Sequence, residues 1–429
     1  MSRFKRLAKE GSWVVIGQIV AVAGALALVR VLTEYLDPAQ YGQLALGLTL
    51  AGLVNQILMG GIGAGIGRYY SIAAEKQDLG GYLQATFLLM ACATAAVVVI
   101  GLIFTASLYW LGYLQWINLV IAALLFAVLS GYNSTLNGIQ NAARQRAIVA
   151  FHGGMDAWLK ILLAVGVLLW LETSSTAVVI GYVCSSMLIT ISQLIFLQRT
   201  IRQQHTHKHS SHQWSSQIWA YSLPFTTFGG FTWVHQVSDR WAMQIFGSSS
   251  DVGQYAVLFQ LGYTPIALIT GMAMNFLGPI LYQSSGDASD HGRNTNVHRI
   301  SWRIANLSIV LTLFGFAITF SIHEWLFSML VATKYRSSSH LLPWVVLAGG
   351  IFAAGQILAL KLMSEMKPSA MTKAKIVTAL IGTLLNVIGA GLAGMQGVVW
   401  AMLVFSGIYL IWMAVLASRL PSLSLNSSL

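Results

Sequence analysis

The chain has 429 residues, of which 56% are hydrophobic and only 9% charged, with 24 basic and 13 acidic side chains giving a net charge of +11. Ordinary soluble domains run about 25% charged, so a water-soluble fold is excluded. The deficit comes with 40 Gly, 14 Trp and 15 Tyr, a profile that suits lipid-buried helices with aromatic rings at the interfaces, and no nucleic-acid partner is expected.

A membrane-spanning helix needs roughly 17 to 25 mostly apolar residues. Division of the chain at charge clusters and turn residues predicts twelve spans, at 12–32, 43–66, 83–109, 115–136, 148–171, 176–198, 218–246, 252–281, 302–328, 341–362, 375–394 and 397–418. The first follows Arg3, Lys5, Arg6 and Lys9 and carries no small-residue cleavage pattern, so it reads as a span and not a signal peptide. Cys92 and Cys184 both lie inside apolar runs and argue for neither a disulfide nor a metal. The gaps between spans are short, so no soluble catalytic domain is expected and the chain does not read as an enzyme.

Alternate loops differ in charge. One set contains Arg3, Lys5, Arg6, Lys9, Arg68, Lys76, Arg144, Arg146, Arg199, Arg202, Lys208, Arg293, Arg299, Arg303, Lys361, Lys367, Lys373, Lys375 and Arg419, whereas the other has only Arg30, Lys334 and Arg336. Basic residues near span ends are retained on the cytoplasmic side, which places both termini there and makes the span count even.

The pattern Asp-x-x-Gln-Tyr occurs at Asp37–Tyr41 and again at Asp251–Tyr255, about half a chain apart, each time after a span with an arginine near its outer end, Arg30 and Arg240. A half-length repeat of six spans predicts two lobes of the same orientation, related by an axis along the membrane normal. The expected organisation is an N-terminal lobe over 1–198, a cytoplasmic His-rich linker over 199–217 and a C-terminal lobe over 218–429, in an all-α polytopic membrane protein.

Ionisable groups at membrane depth cost about 2.5 to 3.5 kcal/mol each on insertion scales, so their positions are informative. His152, Asp156 and Lys160 follow one another at i, i+4, i+8 in the fifth span; His235 and Asp239 repeat the spacing in the seventh, with Arg240 adjoining. Two readings stand. In one, Lys160, Arg240 and Arg30 bind an anionic group while Asp156, Asp239, His152 or His235 carries a coupling proton. In the other, the charges are internal ion pairs that fix helix register. Asp239 points about 100° from Arg240 around the helix, which weakens neutralisation of that arginine, whereas Arg30 is near enough to the outer surface to snorkel.

Other patterns carry less. The run Gly60–Gly67 contains Gly-x-Gly spacing but follows a membrane helix and not a strand, so close helix packing or a flexible inner end accounts for it better than a nucleotide. Arg68, Tyr69 and Tyr70 sit where arginine meets lipid phosphate and tyrosine the headgroup layer. His205, His207, His209 and His212 form a tract without Cys or acidic residues, which offers no closed metal site. Glu34 and Asp37 are the acidic pair closest in kind to a glycosyltransferase metal loop, and Asp37-Pro38 is more simply a turn and helix start.

The stretch RVLTEYLDPAQYGQLALGLTLAGLVNQILMGGIGAGIGRYYS, Arg30 to Ser71, resembles the first two helices of polysaccharide flippases of the O-antigen transporter (Wzx) type, whose superfamily includes the lipid II flippase and the multidrug and toxin extruders. SDRWAMQIFGSSSDVGQYAVLF, Ser238 to Phe259, is similar to the family's Asp-Arg followed by a Gly-x-Tyr helix start. The resemblance implies export of an undecaprenyl-pyrophosphate-linked oligosaccharide across the bacterial cytoplasmic membrane for surface polysaccharides such as lipopolysaccharide O-antigen, beside other polysaccharide-assembly membrane proteins. By matching position it gives Arg30, Arg68, Asp239 and Arg240 substrate-contact roles; Lys160 and Asp156 rest on the physical argument alone. The implied cycle needs membrane lipid and the lipid-linked glycan, and no cofactor beyond a coupling proton or sodium ion. The alternatives are a cation-coupled multidrug extruder, which calls for an acidic cavity, and a membrane polymerase or glycosyltransferase, which calls for a large outer loop.

Overall fold

The computed structural model describes residues 3–201, 211–285, 291–364 and 368–418, and these are helical apart from short turns. In chain order the helices are α1 (Arg3–Tyr35), α2 (Pro38–Val54), α3 (Gly60–Glu75), α4 (Leu79–Trp110), α5 (Ile117–Ala142), α6 (Arg146–Trp170), α7 (Ser175–Ile201), α8 (Ser211–Phe246), α9 (Ser249–Ser285), α10 (His291–Leu330), α11 (Leu342–Ser364) and α12 (Pro368–Ser418). A π-helical turn, Asn55–Met59, joins α2 to α3 so that the two make one long crossing.

Ten segments among the described residues are long and apolar enough to cross a membrane. One of them, Lys375–Ser418, contains two limbs, because α12 breaks at Ala393 and Gly394. Gly394 takes φ +54, and on either side of it Gly389 and Gly397 back onto each other: a Cβ on Gly397 would lie 1.9 Å from the Gly389 carbonyl oxygen. Glycine is required at that approach, and the chain doubles back there. With α8, itself 36 residues long, about twelve crossings result. The protein is an all-α polytopic membrane protein.

The first crossings start as their sequence dictates. Pro38 begins α2 behind Asp37, whose side chain accepts from the Gln40 N–H at 2.7 Å, and Asp78 does the same for Gly81 at the start of α4. Large apolar side chains are exposed along the spans, among them Leu102 at 65% and Leu162 at 69%, as a lipid-facing surface requires. The histidine tract at 205, 207 and 209 and the side chain of His212 lie outside the described residues.

The contacts gather into two compact units, Met1–Trp233 and Val234–Leu429. The division falls inside α8, past the 199–217 segment, so Ser222, Thr226 and Trp233 pack with the first unit.

In the first unit α1 lies along α6, with Gly17 against Ala150 and Gly24 against Ala157. The N-terminal half of α8 lies along α2 and α3: Gly52 faces Trp233, the Gln56 carbonyl faces Gly229, Gly61 faces Thr226 and Gly65 faces Ser222. The steps on the α2–α3 side are four, five and four residues, and the longer middle step coincides with the π-turn. An extra residue is absorbed there while both flanking faces stay turned to α8. In the second unit α11 is the most enclosed helix, packed by α9, α10 and α12.

Candidate functional site

In the first unit, the α6 stripe is occupied from within. His152 is fully buried, with Nδ1 2.9 Å from the Ile148 carbonyl and Nε2 3.0 Å from Ser192 Oγ. A carbonyl only accepts, so Nδ1 carries the proton and Nε2 accepts from the serine hydroxyl. One turn on, Lys160 Nζ lies 2.5 Å from Asp156 Oδ2, Ser185 Oγ donates to Asp156 Oδ1 at 3.3 Å, and the Lys160 ammonium sits 5.4 Å from the Phe126 ring centre. These two side chains are 22% and 26% exposed, so the pair reaches a partly open edge of the helix.

Arg30 is ion-paired with Glu34 on the next turn of α1, and both are substantially exposed. Arg68 on α3 is exposed, with no ion-pair partner among the described residues. The neighbouring rings form a cluster: Tyr69 meets Trp214 and Tyr221 edge-on, and Tyr82 meets Tyr70 and Trp214.

In the second unit, Asp239 is buried and both its oxygens are used. Oδ1 accepts from the Arg240 backbone N–H at 2.7 Å and Oδ2 from the Tyr255 hydroxyl at 2.7 Å. Among the described residues no ion pair joins that carboxylate to the Arg240 guanidinium. Its guanidinium carbon lies 5.1 Å from the centre of the Phe259 ring, a cation–π contact, and its Nε is buried without a hydrogen-bond partner. Where Arg30 has Glu34 four residues on, Arg240 has Gln244, whose Oε1 accepts from Ser249 Oγ.

His235, one turn before Asp239, packs its ring 4.2 Å from Phe405 and keeps a buried Nδ1 without a partner. Gly382 makes room for it, since a Cβ there would lie 2.5 Å from His235 Cε1. Ser238 donates to the His235 carbonyl and accepts from Asn386 Nδ2 at 2.9 Å, which pins this part of α8 to α12.

Thus the structure joins His235, Asp239 and Arg240 on one stretch of α8, and Asp156 with Lys160 on α6, while Arg30 and Arg68 stand on other helices of the first unit. Two features escaped the sequence reading. One is the set of partners around Arg240: Tyr255 and Phe259, on successive turns of α9. The repeat did contain Tyr255, without indicating what it touches. The other is a polar seam between α5 and α7, where Asn133 Nδ2 donates to the Ser186 carbonyl, Thr190 Oγ1 to Asn133 Oδ1 and Gln193 Nε2 to Asn137 Oδ1. Asn133, Asn137 and Gln140 at i, i+4, i+7, set against Ser186, Thr190 and Gln193 at the same spacing, were the available signal. Among the described residues no group of three or more His, Cys, Asp or Glu could hold a metal ion.

Similarity to known proteins follows the same division of labour between fold and site. No curated protein matches the sequence. The structure is similar to the lipid II flippase MurJ in its inward closed conformation, at TM-score 0.68 and 11% identity over 96% of this chain and 88% of that one. It is also similar to an inward-facing multidrug resistance MATE family transporter of the MOP superfamily, at TM-score 0.61 and 13% identity over 94% of both chains. A eukaryotic MATE transporter, AtDTX14, aligns at TM-score 0.60 and 14% identity over 97% of this chain and 96% of its own. At such identities the likeness shows the fold alone. Residues 7–285, well over half of the sequence, match the model of a family described as polysaccharide biosynthesis protein, and the chain belongs to that family.

Proposed function

We propose that the protein is a flippase that moves an undecaprenyl-pyrophosphate-linked oligosaccharide from the cytoplasmic to the outer face of the bacterial cytoplasmic membrane by alternating access, for surface polysaccharides of the O-antigen kind. The observation that carries this reading is Arg240, a cation on a membrane helix whose adjacent carboxylate is engaged elsewhere. Burying an uncompensated charge is costly, and an anionic ligand relieves it. A pyrophosphate carries about two negative charges, and guanidinium groups bind phosphate oxygens in a fork that an ammonium lacks.

Arg30, Arg68 and Lys160 are assigned further contacts along the substrate's route, with both termini cytoplasmic. His235, with its unpartnered Nδ1, is the best placed of the coupling candidates. His152, Asp156 and Asp239 have hydrogen-bond partners already and would have to exchange them to relay a proton. Membrane lipid and the polysaccharide-assembly proteins that supply and consume the glycan are the expected partners.

The multidrug-extruder reading draws on the same fold likeness. It calls for carboxylates free to receive cationic drugs, whereas here Asp156 is ion-paired with Lys160 and both oxygens of the buried Asp239 accept hydrogen bonds, beside an arginine without an ion pair among the described residues.

The test is complementation of a strain deleted for this gene, with the variant's abundance in the membrane checked by immunoblot. Arg240→Ala is expected to lower surface polysaccharide about tenfold or more, and Arg240→Lys to restore it in part. Full surface polysaccharide from Arg240→Ala at normal abundance overturns the assignment.

A further inference from the structure

Tyr255 is fully buried on α9, and its hydroxyl donates to Asp239 Oδ2. One turn further along α9, Phe259 lies beneath the Arg240 guanidinium and stacks in turn on Tyr263, with ring centres 4.6 Å apart and planes at 22°. Two adjacent residues of α8 are therefore matched to two successive turns of α9: Asp239 to Tyr255 and Arg240 to Phe259. Only Gly247 and Ser248 separate the two helices, so this pairing fixes their register.

The pairing also decides charge. A buried carboxylate without Tyr255 would have one hydrogen-bond donor fewer, and the nearest positive charge available to it is the guanidinium of the next residue. Released from Tyr255, the carboxylate is free to turn toward the guanidinium, and at the shorter range it would lower the positive potential there, because charges interact strongly where water is scarce. Gln244 contributes no charge on the following turn.

We propose that Tyr255 is a positioning residue for this anion site: by holding Asp239 it keeps Arg240 seated on Phe259 as an uncompensated cation, ready for a phosphate-type group. The inference rests on the reading of Arg240 as the contact for the anionic headgroup, and it assigns Asp239 to setting the site's charge instead of carrying a coupling proton.

The experiment is modification of Arg240 by phenylglyoxal in the full-length protein in detergent, quantified by peptide mass spectrometry, with inorganic pyrophosphate as the protecting probe. Wild type is compared with Tyr255→Phe, Asp239→Asn and the double variant, each confirmed monodisperse by size-exclusion chromatography. Tyr255→Phe is expected to slow modification and to raise the pyrophosphate concentration for half-protection about tenfold, and adding Asp239→Asn is expected to return both to within about twofold of wild type. A merely structural tyrosine would not be rescued by removing a charge. The proposal is overturned if Tyr255→Phe behaves as wild type, or if Asp239→Asn fails to restore it. Should wild-type Arg240 be modified but never protected by pyrophosphate, the headgroup reading fails, and the relative modification rates of the four proteins still decide the role of Tyr255.

Discussion

Gly65 lies so close to Ser222 that a Cβ on it would fall 2.3 Å from the serine Oγ and 2.7 Å from the Ile218 carbonyl oxygen. The serine rotamer could move, but the backbone carbonyl could not without shifting α8. Gly65→Leu is therefore expected to lower stability by about 1–3 kcal/mol through overpacking, whereas Gly67→Leu, with nothing within 4 Å of its Cβ position, is expected to be nearly neutral. Thermal unfolding of the detergent-purified variants checks the difference. Equal behaviour of the two would mean that the close crossing of α3 and α8 is not a stabilising contact.

Asp78 ties α8 to the start of α4 by different chemistry. Its carboxylate, 1% exposed, accepts from the Gly81 N–H at the start of α4 and from the Trp214 indole N–H at 2.7 Å. Trp214→Phe keeps most of the ring contacts and removes one donor, so it is expected to cost about 1–2 kcal/mol. Asp78→Ala removes the helix cap as well and is expected to cost more, about 2–3 kcal/mol. Denaturation curves that place Asp78→Ala at or below Trp214→Phe would contradict this account.

How much of this was legible beforehand depends on whether one chain segment or two were involved. Each crossing follows from its own apolar run, and the start of α2 from Asp37-Pro38, because those signals are local. The Gly60–Gly67 run indicated close packing, yet nothing local names Ser222 and Thr226 as the residues packed against it. The π-turn at Asn55 was invisible for the same reason: the extra residue is explained by the spacing of contacts on α8. Ser211–Gln217, polar enough to read as linker, is helical, with Trp214 buried against Tyr82 and Asp78. At the candidate site, the isolation of Arg240 from Asp239 followed from helix geometry, while Tyr255 and Phe259 became meaningful only once α9 was placed beside α8.

The α5–α7 seam offers a test of buried polar packing. Asn133 both donates to Ser186 and accepts from Thr190, so Asn133→Leu removes two hydrogen bonds between α5 and α7, while the Thr190 hydroxyl keeps its bond to the Ser186 carbonyl within α7. Hydrogen bonds between membrane helices average below 1 kcal/mol, but two are lost at once, and a drop of about 1–2 kcal/mol is expected. Ser107→Ala is the control, since that hydroxyl is exposed and bonds only to its own helix at Ile103. If the two variants unfold at the same temperature, the seam contributes nothing to stability.

The Asp156–Lys160 pair can be asked directly whether it is structural or functional. Removing one partner leaves the other charged in a mostly apolar helix, so Lys160→Met is expected to destabilise by about 2–3 kcal/mol, discounted for partial exposure. In the double variant Asp156→Asn/Lys160→Met both charges are gone, and stability is expected to return to within about 1 kcal/mol of wild type. The two readings separate at that point. A purely structural pair predicts that the double variant also regains surface polysaccharide. A substrate-contacting Lys160 predicts a protein that folds normally, accumulates in the membrane and still fails to export. We expect the second outcome, because the ammonium, held over Phe126 at a partly open edge, can serve an anionic substrate while remaining paired. Recovery of export alongside recovery of stability would remove Lys160 from the substrate's route.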